Sequence, residues 1–310
     1  MNKGDNVPFR SATVAVVIVA YRSAEHLGAC LDGLRDDSAI SSIVVVDNSL
    51  DADTEALVSL RSRQDTRITL LTPDANKGFA GGCNIGAAAT DESDFLMFLN
   101  PDARLTRGMG ELVTALASHE AIIASGRLVS NSPWESVNAR PLPSVRRELQ
   151  KAVVGSRAYS LRHSLPPASR VGQVDGALLV ISREDFFRLE GFDERFELYY
   201  EDVDLCARAA QHGGCLFLNA TWGEHIGGAS FDTASTAAFT ALRISRVRYL
   251  VKHVDGRLGG LAAALCVALA EWAVRSLTRR PEGQSTRNKS LALQLRELVR
   301  PLSVSVLEQK

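Results

Sequence analysis

Short apolar runs alternate with amphipathic stretches over the first hundred residues of the chain. Residues 23–36, residues 51–60 and the Ala-rich end of residues 73–90 have the periodicity of helices. Four runs have the length and the apolar composition of buried strands: TVAVVIVAY (13–21), SIVVVDNS (42–49), RITLLT (67–72) and DFLMFLN (94–100). Strands and helices that alternate in this way predict βαβ units, and therefore an α/β fold with a parallel sheet.

The polar residues that follow these strands are expected to meet at one edge of the sheet. Right-handed crossovers place the carboxyl ends of parallel strands on the same side. Ligands of open α/β sheets bind along that edge. Tyr21, Asp47, Asn76 and Asp102 all fall there. The buried strand at 94–100 thus presents the side chain of Asp102 to a crevice.

The pattern changes in the second half of the chain. Residues 130–170 contain five prolines among many serines and arginines, which predicts a long loop of the kind that forms lids and binding loops. Residues 173–219 predict a strand, a short helix, a loop, a helix and a strand. From Thr233 onward the pattern is helical to the end.

The apolar stretch at 258–277 is about long enough to cross a bilayer, which takes roughly 20 residues. Glu271 and Arg275 interrupt it, and a charge near the centre of a span costs about 2.5–3.5 kcal/mol. We therefore expect an amphipathic or packed helix. Residues 243–280 hold eight Lys and Arg against two acidic residues, which suits an anionic membrane surface. A solvated basic face is the alternative.

Composition narrows the class of protein. A chain of 310 residues can bury a full core, and 45% hydrophobic with 23% charged residues is typical of globular proteins. The net charge of −1 gives no reason to expect a nucleic acid partner. Five cysteines without CxxC spacing indicate reduced thiols in a cytosolic protein. No apolar stretch precedes residue 14, so we expect no signal peptide.

Two stretches suit a nucleotide. Asp47 ends the strand in VVVDNS, where a carboxylate accepts from a ribose hydroxyl or a base N–H; a turn or a helix cap is the alternative. In NKGFAGGCNIG, Gly78, Gly81 and Gly82 let the backbone approach a ligand ahead of a helix N-terminus that favours phosphate. The stretch is neither GxGxxG nor a Walker loop, which weakens the dinucleotide and P-loop interpretations.

The Asn-Pro-Asp motif suits a divalent cation. Pro101 restricts the backbone, so Asn100 and Asp102 are held in one geometry at the end of the strand. One carboxylate and one amide oxygen match Mg²⁺ or Mn²⁺, which keep several waters and bind substrate phosphates. His225 in GEHIGGAS is a candidate third ligand. A structural turn is the alternative for the motif.

The stretch YYEDVDLCARAA carries the candidate general base. On a helix, Asp202 and Asp204 lie about 200° apart and cannot serve one pocket. Asp204 is spaced to pair with Arg208 as scaffolding. Asp202, next to Glu201, is left to face the sites of the first half, where a desolvated carboxylate serves as a base. Acidic residues that complement the helix dipole are the alternative.

These motifs, in this order, resemble the family 2 inverting glycosyltransferases with the GT-A fold. FLNPDARL and FDERFELYYEDVDLCAR resemble most closely the bacterial rhamnosyltransferases that act on polyprenyl-diphosphate-linked sugars. The resemblance implies a Rossmann-like, mostly parallel sheet flanked by helices. It also implies a GT-A domain at residues 13–230, followed by a helical C-terminal region at 231–310.

The resemblance also assigns roles to single residues. It implies that Tyr21 and Asp47 hold a pyrimidine base, that Asp102 and His225 bind the metal, and that Asp202 is the base. The residues implied to line the nucleotide, its phosphates and the sugar are Asn76, Lys77, Gly78, Gly81, Asn84, Gly176, Ala177 and Glu201. In two places the sequence departs from the family: Asn100 replaces the first Asp of Asp-x-Asp, and Ala20 replaces a Thr.

The implied reaction is a single displacement with inversion, dependent on Mg²⁺ or Mn²⁺. The donor is a dTDP- or UDP-sugar, with L-rhamnose from dTDP-rhamnose as the best match. The acceptor is polyprenyl-diphosphate-linked or a saccharide, in cell-wall, O-antigen or lipopolysaccharide assembly. The chain has no Gln-x-x-Arg-Trp motif, which argues against a processive synthase. The implied location is cytoplasmic, peripheral on the inner face of the cytoplasmic membrane.

Two other classes of protein remain as alternatives. A nucleotidyltransferase that makes an NDP-sugar also uses an α/β sheet with acidic metal ligands, but it needs a glycine-rich basic motif after the first strand, where this chain has AYRSAEHL. A catalytically silent module that binds nucleotide sugars would keep the pocket at Asp47 without needing Asp202.

Overall fold

A computed structural model of the chain describes residues 12–129, 138–154, 165–196, 198–225, 235–254, 256–277, 291–296 and 298. The strands are β1 Val14–Ala20, β2 Ile40–Asp47, β3 Ile68–Leu71, β4 Phe95–Leu99, β5 Ala103–Leu105, β6 Ile123–Val129, β7 Ala139–Arg140, β8 Ala168–Val171, β9 Gln173–Val174, β10 Leu178–Ser182 and β11 Cys215–His225. The helices are α1 Ala24–Asp32, α2 Ala52–Ser62, α3 Gly78–Ala89, α4 Gly110–His119, α5 Val145–Val154, α6 Arg183–Arg188, α7 Glu201–Ala209, α8 Ser235–His253 and α9 Arg257–Leu277.

Nine of the described strands form one sheet. Its order is β3-β2-β1-β4-β10-β6-β11-β5, and β8 pairs with β11. The first four strands are parallel, as the sequence pattern predicts. In the second half of the sheet, β10 runs antiparallel to both of its neighbours, while β6 and β11 are parallel to each other. The α/β fold is therefore confirmed, with a mixed second half that the sequence pattern did not predict.

Helices cover both faces of the sheet, which explains why β1 is buried along its whole length. Since successive side chains of a strand point to opposite faces, Val16 and Ile18 pack with α1 and α4 on one side. Ala15 and Val17 pack with α3, α6 and α7 on the other side. A strand that is buried on both faces needs a continuous apolar run, and β1 has one.

The stretch at 130–170 is more ordered than its many prolines predict. Within its described part, residues 145–154 form α5, and residues 139–140 pair with residues 173–174 in a small second sheet. The expectation of one long loop was wrong for this part, because the amphipathic run after Ser144 packs as a helix against α9. Residues 130–137 and 155–164 lie outside the described residues.

The C-terminal helices pack against the α/β unit. Phe196, Tyr200 and Val203 form one apolar cluster with side chains of α8 and α9, among them Tyr249 and Val267. The division at residue 230 stays a prediction, but the apolar core is continuous across it.

Four basic residues between 243 and 280 whose side chains the structure describes have partners within the chain. Arg243 and Arg246 contact Glu271, Lys252 contacts Asp193 and Asp204, and Arg248 contacts the carbonyl of Arg195. These four residues therefore do not form the solvated basic face that the sequence allowed. Within the described part of the chain, none of the helices combines the length and the apolarity that crossing a bilayer requires.

Candidate active site

The carboxyl ends of the first parallel strands lie side by side. The register pairs Ala20 of β1 with Asp47 of β2, and β4 runs parallel to β1 on its other side. Tyr21 and Asn100, which follow β1 and β4, therefore start at the same edge as Asp47. This arrangement agrees with the edge that the sequence predicts for ligand binding.

Asp47 is a buried carboxylate at the end of β2, with a side chain that its own turn holds in place. Its Oδ1 accepts from the backbone N–H of Ser49 at 2.9 Å and from the hydroxyl of Ser49 at 2.6 Å. Both bonds go to one oxygen, so Oδ2 is the atom that can accept from a base N–H or a ribose hydroxyl.

Tyr21 stands at the surface beside this carboxylate, with 51% of its area exposed. The guanidinium of Arg22 lies 5.4 Å from the centre of its ring, and Arg22 has a φ of 51°. Leu50, which follows β2, also has a positive φ, of 57°. Left-handed backbone at non-glycine residues clusters at ligand sites, because the surrounding structure must hold it there. An exposed aromatic ring beside a buried carboxylate suits a nucleotide base.

The glycine-rich stretch begins with a turn held by two asparagines. Asn76 Oδ1 accepts from the N–H of Gly78 at 2.9 Å, and Asn48 Nδ2 donates to the carbonyl of Gly78 at 2.7 Å. Gly78 has a φ of 70°, which a side chain would strain. Asn48 ties this turn to the end of β2, a role that the sequence analysis missed. In the sequence, only the position of Asn48 directly after Asp47 indicated such a role.

Two glycines inside α3, Gly81 and Gly82, have different neighbours. The sequence suggested that Gly82 lets the backbone approach a ligand, whereas the structure places it against β1. A Cβ on Gly82 would lie 2.8 Å from Val19 Cγ1, so this glycine lets α3 pack closely on β1. A Cβ on Gly81 would lie 2.9 Å from Lys77 Cβ. Gly82 therefore serves the packing of the helix, while Gly81 lies toward the loop at Lys77.

The side chain of Asn84 joins two distant parts of the chain. Its Nδ2 donates to the carbonyl of Phe192 at 2.9 Å and to Glu194 Oε1 at 3.0 Å, while its Oδ1 accepts from the N–H of Phe192 at 2.9 Å. These bonds occupy the amide, so Asn84 holds the loop after α6 against α3. A direct contact of Asn84 with the nucleotide stays a prediction.

The Asn-Pro-Asp turn meets the end of β11. The register pairs Ala103 with His225, which brings the histidine next to Asp102. His225 Nε2 lies 3.1 Å from Asp102 Oδ1 and 3.3 Å from Asn100 Nδ2. The sequence placed His225 after a strand, whereas it is the last residue of β11. One nitrogen cannot donate to the carboxylate and accept from the amide at the same time.

The thiol of Cys30 on α1 also holds the Asn-Pro-Asp turn, a role that the sequence did not indicate. Cys30 Sγ donates to the carbonyl of Asn100 at 3.5 Å. Burial, with the charge of Asp102 nearby, raises the pKa of this thiol far above its usual value. Cys30 thus stays protonated and fixes the turn to α1.

Asp202 is brought to the same edge by the neighbouring strand. The N–H of Asn100 donates to the carbonyl of Ala177 at 3.1 Å, directly before β10. The N–H of Gly176 donates to Asp202 Oδ2 at 2.9 Å. One residue after Ala177, Leu178 pairs with Leu99 at the end of β4. One backbone hydrogen bond to Ala177 and one hydrogen bond from the N–H of Gly176 to Asp202 therefore connect the turn that carries Asp102 with the carboxylate of Asp202.

The environment of Asp202 makes it a weaker acid than an exposed aspartate. Burial, together with the charge of Asp175, raises the pKa of Asp202 to about 6. The N–H groups of Gly176 and Val203 and the guanidinium of Arg140 oppose this shift. Arg140 itself pairs with Asp175 at 2.8 Å. The carboxylate is thus ionised at neutral pH yet desolvated, as a general base requires.

Glu201 is buried beside Asp202 and has no hydrogen-bond partner at Oε2. Burial and the neighbouring Asp202 raise the pKa of Glu201 well above its usual value. The two adjacent carboxyl groups therefore lie in different environments: hydrogen bonds and Arg140 favour the charged form of Asp202, whereas burial disfavours the charged form of Glu201.

Asp204 faces away from this site, as the helical spacing predicts. Its Oδ2 accepts from Arg208 Nε at 2.9 Å, and Arg208 also donates to the carbonyls of Leu189 and Gly191. The predicted pairing of Asp204 with Arg208 is confirmed, and it anchors α7 to the turn after α6.

The chain is similar in sequence to known glycosyltransferases. The family described as Glycosyl transferase family 2 matches residues 15–160. The N-acetylglucosaminyl-diphospho-decaprenol L-rhamnosyltransferase of Mycobacterium tuberculosis is 29% identical over 221 residues, which are 64% of this chain and 70% of that protein. The low-salt glycan biosynthesis hexosyltransferase Agl10 of Haloferax volcanii is 28% identical over 233 residues, 71% of this chain and 70% of that protein.

A solved structure shares the fold over nearly the whole chain. The mannosyltransferase PcManGT from Pyrobaculum calidifontis, in complex with GDP-Man and Mn²⁺, superposes with a TM-score of 0.54 and 16% identity. The match covers 96% of this chain and 88% of that protein. The common fold is the GT-A fold, with a mixed sheet between two layers of helices.

Proposed function

This chain is a glycosyltransferase with a family 2 domain, and we propose that it transfers one sugar from a nucleoside-diphosphate donor to an acceptor hydroxyl with inversion. One observation carries the proposal. The turn of Asp102 and the half-buried carboxylate of Asp202 are linked through Asn100, Ala177 and Gly176 at one edge of the sheet. A diphosphate site and a general base thus adjoin each other.

The donor nucleotide binds across the ends of β1 and β2. Oδ2 of Asp47 accepts from the N–H of a pyrimidine base, and Tyr21 covers the base. The turn formed by Asn76, Lys77 and Gly78 lies at the N-terminus of α3, where backbone N–H groups favour phosphate. This order places the diphosphate between the base pocket and the Asn-Pro-Asp turn.

Asp102 and His225 fit a divalent cation. His225 Nε2 faces the carboxylate of Asp102 and the amide of Asn100 together, and a cation there would remove the conflict over its single lone pair. The described residues contain no group of three His, Cys, Asp or Glu side chains that could hold a metal. Two protein ligands completed by waters and a diphosphate suit Mg²⁺ or Mn²⁺. When bound, the cation neutralises charge on the leaving diphosphate.

Asp202 removes the proton from the acceptor hydroxyl. Its Oδ2 is held by Gly176 and its Oδ1 accepts from the N–H of Val203 at 2.7 Å, so the carboxylate has a fixed orientation. The acceptor oxygen attacks the anomeric carbon from the side opposite the diphosphate, which inverts the configuration. Gly176 has no side chain, which leaves room for the sugar next to Phe79. A Cβ added to Gly176 would lie 3.4 Å from the ring of Phe79.

We further propose L-rhamnose from dTDP-rhamnose as the donor sugar and a polyprenyl-diphosphate-linked saccharide as the acceptor. The mycobacterial relative is a rhamnosyltransferase whose name gives an N-acetylglucosaminyl-diphospho-decaprenol acceptor. An acceptor of this class is anchored in a lipid bilayer, so the transferase must reach the surface of a membrane.

The outer face of α9 is suited to that surface. It exposes large apolar side chains, with Leu258 81% exposed and Leu265, Leu269 and Trp272 partly exposed. Glu271, the only acidic residue of the helix, pairs instead with the arginines of α8. A helix with an apolar, acid-free face and arginines toward its ends suits the interface of an anionic membrane. We propose peripheral binding to the cytoplasmic membrane through this face.

Flotation with liposomes that contain phosphatidylglycerol tests the membrane contact. Leu269→Glu is expected to reduce the bound fraction at least ten-fold, because it places a charge in the apolar face. Leu60→Glu is the matched control, since Leu60 is exposed to a similar extent (53%, against 45% for Leu269) but lies on α2. Equal binding of both variants and the wild type would show that α9 does not contact the lipid.

A panel of nucleotides and nucleotide sugars tests the reaction. Ligands that bind the native state raise the melting temperature, so the preferred base and sugar are identified by the largest shift in the presence of Mn²⁺. Transfer of the sugar to a polyprenyl-diphosphate-linked acceptor is expected with the same donor. Formation of an NDP-sugar from a sugar-1-phosphate and a nucleoside triphosphate would instead support a nucleotidyltransferase. Binding without transfer to any acceptor would support a silent module.

A further inference from the structure

We propose that α8 positions the general base, so that the C-terminal helical region is part of the catalytic apparatus. The proposal rests on the proposed function, because it assigns a role toward Asp202. The residues that act are Ser245, Tyr249, Lys252 and His253, on the side of α8 that faces α7. They touch neither Asp202 nor the nucleotide pocket in any described contact, and are therefore positioning residues.

The chain enters α7 through two residues in an unfavourable backbone conformation. Tyr199 has a φ of 65° and Tyr200 a φ of 68°, directly before Glu201 and Asp202. A left-handed conformation at two consecutive bulky residues persists only where the surroundings impose it. Something must therefore hold this segment in place.

Contacts from α8 hold the segment from one side. Ser245 is buried and its hydroxyl donates to the carbonyl of Leu198 at 2.9 Å. The ring of Tyr249 packs against the ring of Tyr200 in a tilted arrangement, with 5.5 Å between their centres and 49° between their planes. One helix thus fixes the backbone before the two strained residues and the side chain of the second.

A second set of contacts fixes the rotation of α7 itself. Asp204 is fully buried, and its Oδ1 lies 2.7 Å from His253 Nε2 and 2.7 Å from Lys252 Nζ. Its Oδ2 is bound by Arg208. Asp202 and Asp204 lie about 200° apart on the helix. When Asp204 is bound to α8, Asp202 therefore points toward Gly176.

The consequence concerns catalysis as well as stability. Asp202 Oδ2 meets the N–H of Gly176 only when the first turn of α7 has this rotation and this position. If α8 loosens, the carboxylate moves relative to the acceptor, while Asp47 and the turn at Gly78 keep their own hydrogen bonds to Ser49, Asn76 and Asn48. We therefore expect a loss in kcat with an unchanged affinity for the nucleotide.

Three variants at α8 test the proposal in the full-length chain. Ser245→Ala removes one hydrogen bond and is expected to lower kcat about five-fold, the effect of roughly 1 kcal/mol. Tyr249→Leu removes the ring and is expected to lower kcat at least ten-fold. Tyr249→Phe keeps the ring and is expected to restore kcat. Ser59→Ala, an exposed site on α2, is the matched control.

Hydrogen–deuterium exchange of the peptide that covers residues 198–206 gives a readout independent of activity. Faster exchange is expected in Ser245→Ala and Tyr249→Leu but not in Tyr249→Phe or Ser59→Ala. The dissociation constant of UDP or dTDP is expected to stay within two-fold of the wild type in all four variants.

The outcomes separate this proposal from the function it rests on. Unchanged exchange in Ser245→Ala and Tyr249→Leu would overturn the positioning role, and so would faster exchange with wild-type kcat. Equal losses of kcat and of nucleotide affinity would also overturn it, since they would indicate general loosening. A wild type that transfers no sugar would contradict the proposed function, and the exchange data alone would then decide whether α8 holds the segment.

Discussion

At the scale of single residues, the central feature is a pair of adjacent carboxyl groups, those of Glu201 and Asp202, in different surroundings. Burial raises the pKa of both, but Asp202 is bound by two backbone N–H groups and lies near Arg140, which limits the shift to a value of about 6. Glu201 has no hydrogen-bond partner at Oε2, and burial together with the neighbouring Asp202 raises its pKa well above its usual value. The hydrogen bonds to Asp202 favour its charged form, which suits Asp202 to the role of the base.

The first prediction concerns the pH dependence of transfer. Because Asp202 must be ionised to accept a proton, kcat/KM is expected to rise about ten-fold per pH unit below a pKa of about 6 and to level off above it. The pH profile of the wild type, measured with a saturating metal concentration, checks this. A rate that is constant from pH 5 to pH 8 would exclude Asp202 as the base.

The second prediction concerns stability. The pKa of Asp202 is higher in the native state, about 6, than in the unfolded state, where aspartate has a pKa of about 4. Between these values the native state holds a proton that the unfolded state has released, so the free energy of unfolding falls as the pH rises. Asp202→Asn lacks this effect.

Thermal unfolding of both proteins between pH 4 and pH 8 measures the difference. The melting temperature of Asp202→Asn minus that of the wild type is expected to increase from pH 4 to pH 6.5 and to stay constant above. A difference that does not depend on pH would mean that Asp202 titrates normally. The exposed Asp53→Asn on α2 is the control, and no such trend is expected for it.

At the scale of elements, α5, α8 and α9 are joined by buried charges. Arg246 contacts Glu271 of α9, Gln294 and, at 3.7 Å, Glu148 of α5. Glu148 is fully buried and neither of its oxygens has a hydrogen bond. A buried ion pair contributes little overall, but removal of one partner leaves an uncompensated charge. Arg246 therefore holds three segments together at once.

The third prediction follows from this arrangement. Arg246→Met keeps the volume of the side chain but leaves Glu148 and Glu271 without this partner, so the free energy of unfolding is expected to fall by about 3–5 kcal/mol. Chemical denaturation measures the change. Arg63→Met at the exposed end of α2 is the control, and its expected change is under about 0.5 kcal/mol. Equal changes in the two variants would contradict the role of Arg246.

The elements also indicate what the sequence can predict. The first four strands and their helices follow from local periodicity, because a strand buried on both faces needs a continuous apolar run. The antiparallel direction of β10 and the docking of α8 on Tyr200 depend on contacts between distant residues, and no local pattern encodes them. Asn84 is an example within the site: the family resemblance implies a ligand contact for it, and no local pattern indicates that its amide also binds Phe192 across the fold.

At the scale of the whole molecule, one edge of the sheet gathers groups from distant parts of the chain. Asp47 and Asp102 arrive on parallel strands, His225 on β11 and Asp202 on a helix that α8 holds in place. The sequence predicted this meeting from the carboxyl ends of the strands and from family resemblance. It did not predict that the C-terminal helices share an apolar core with the segment before the base.

The central claim is that Asp102 and Asp202 have separate roles. Asp102 serves the metal and the diphosphate, and Asp202 serves the acceptor. Calorimetric titration of UDP and dTDP, with and without Mn²⁺, into Asp202→Asn and Asp102→Asn tests it most directly, combined with a transfer assay. We predict that Asp202→Asn binds the preferred nucleotide like the wild type and transfers nothing, whereas Asp102→Asn loses the gain in affinity that Mn²⁺ provides. Wild-type transfer by Asp202→Asn, or an undiminished effect of Mn²⁺ in Asp102→Asn, would contradict the account.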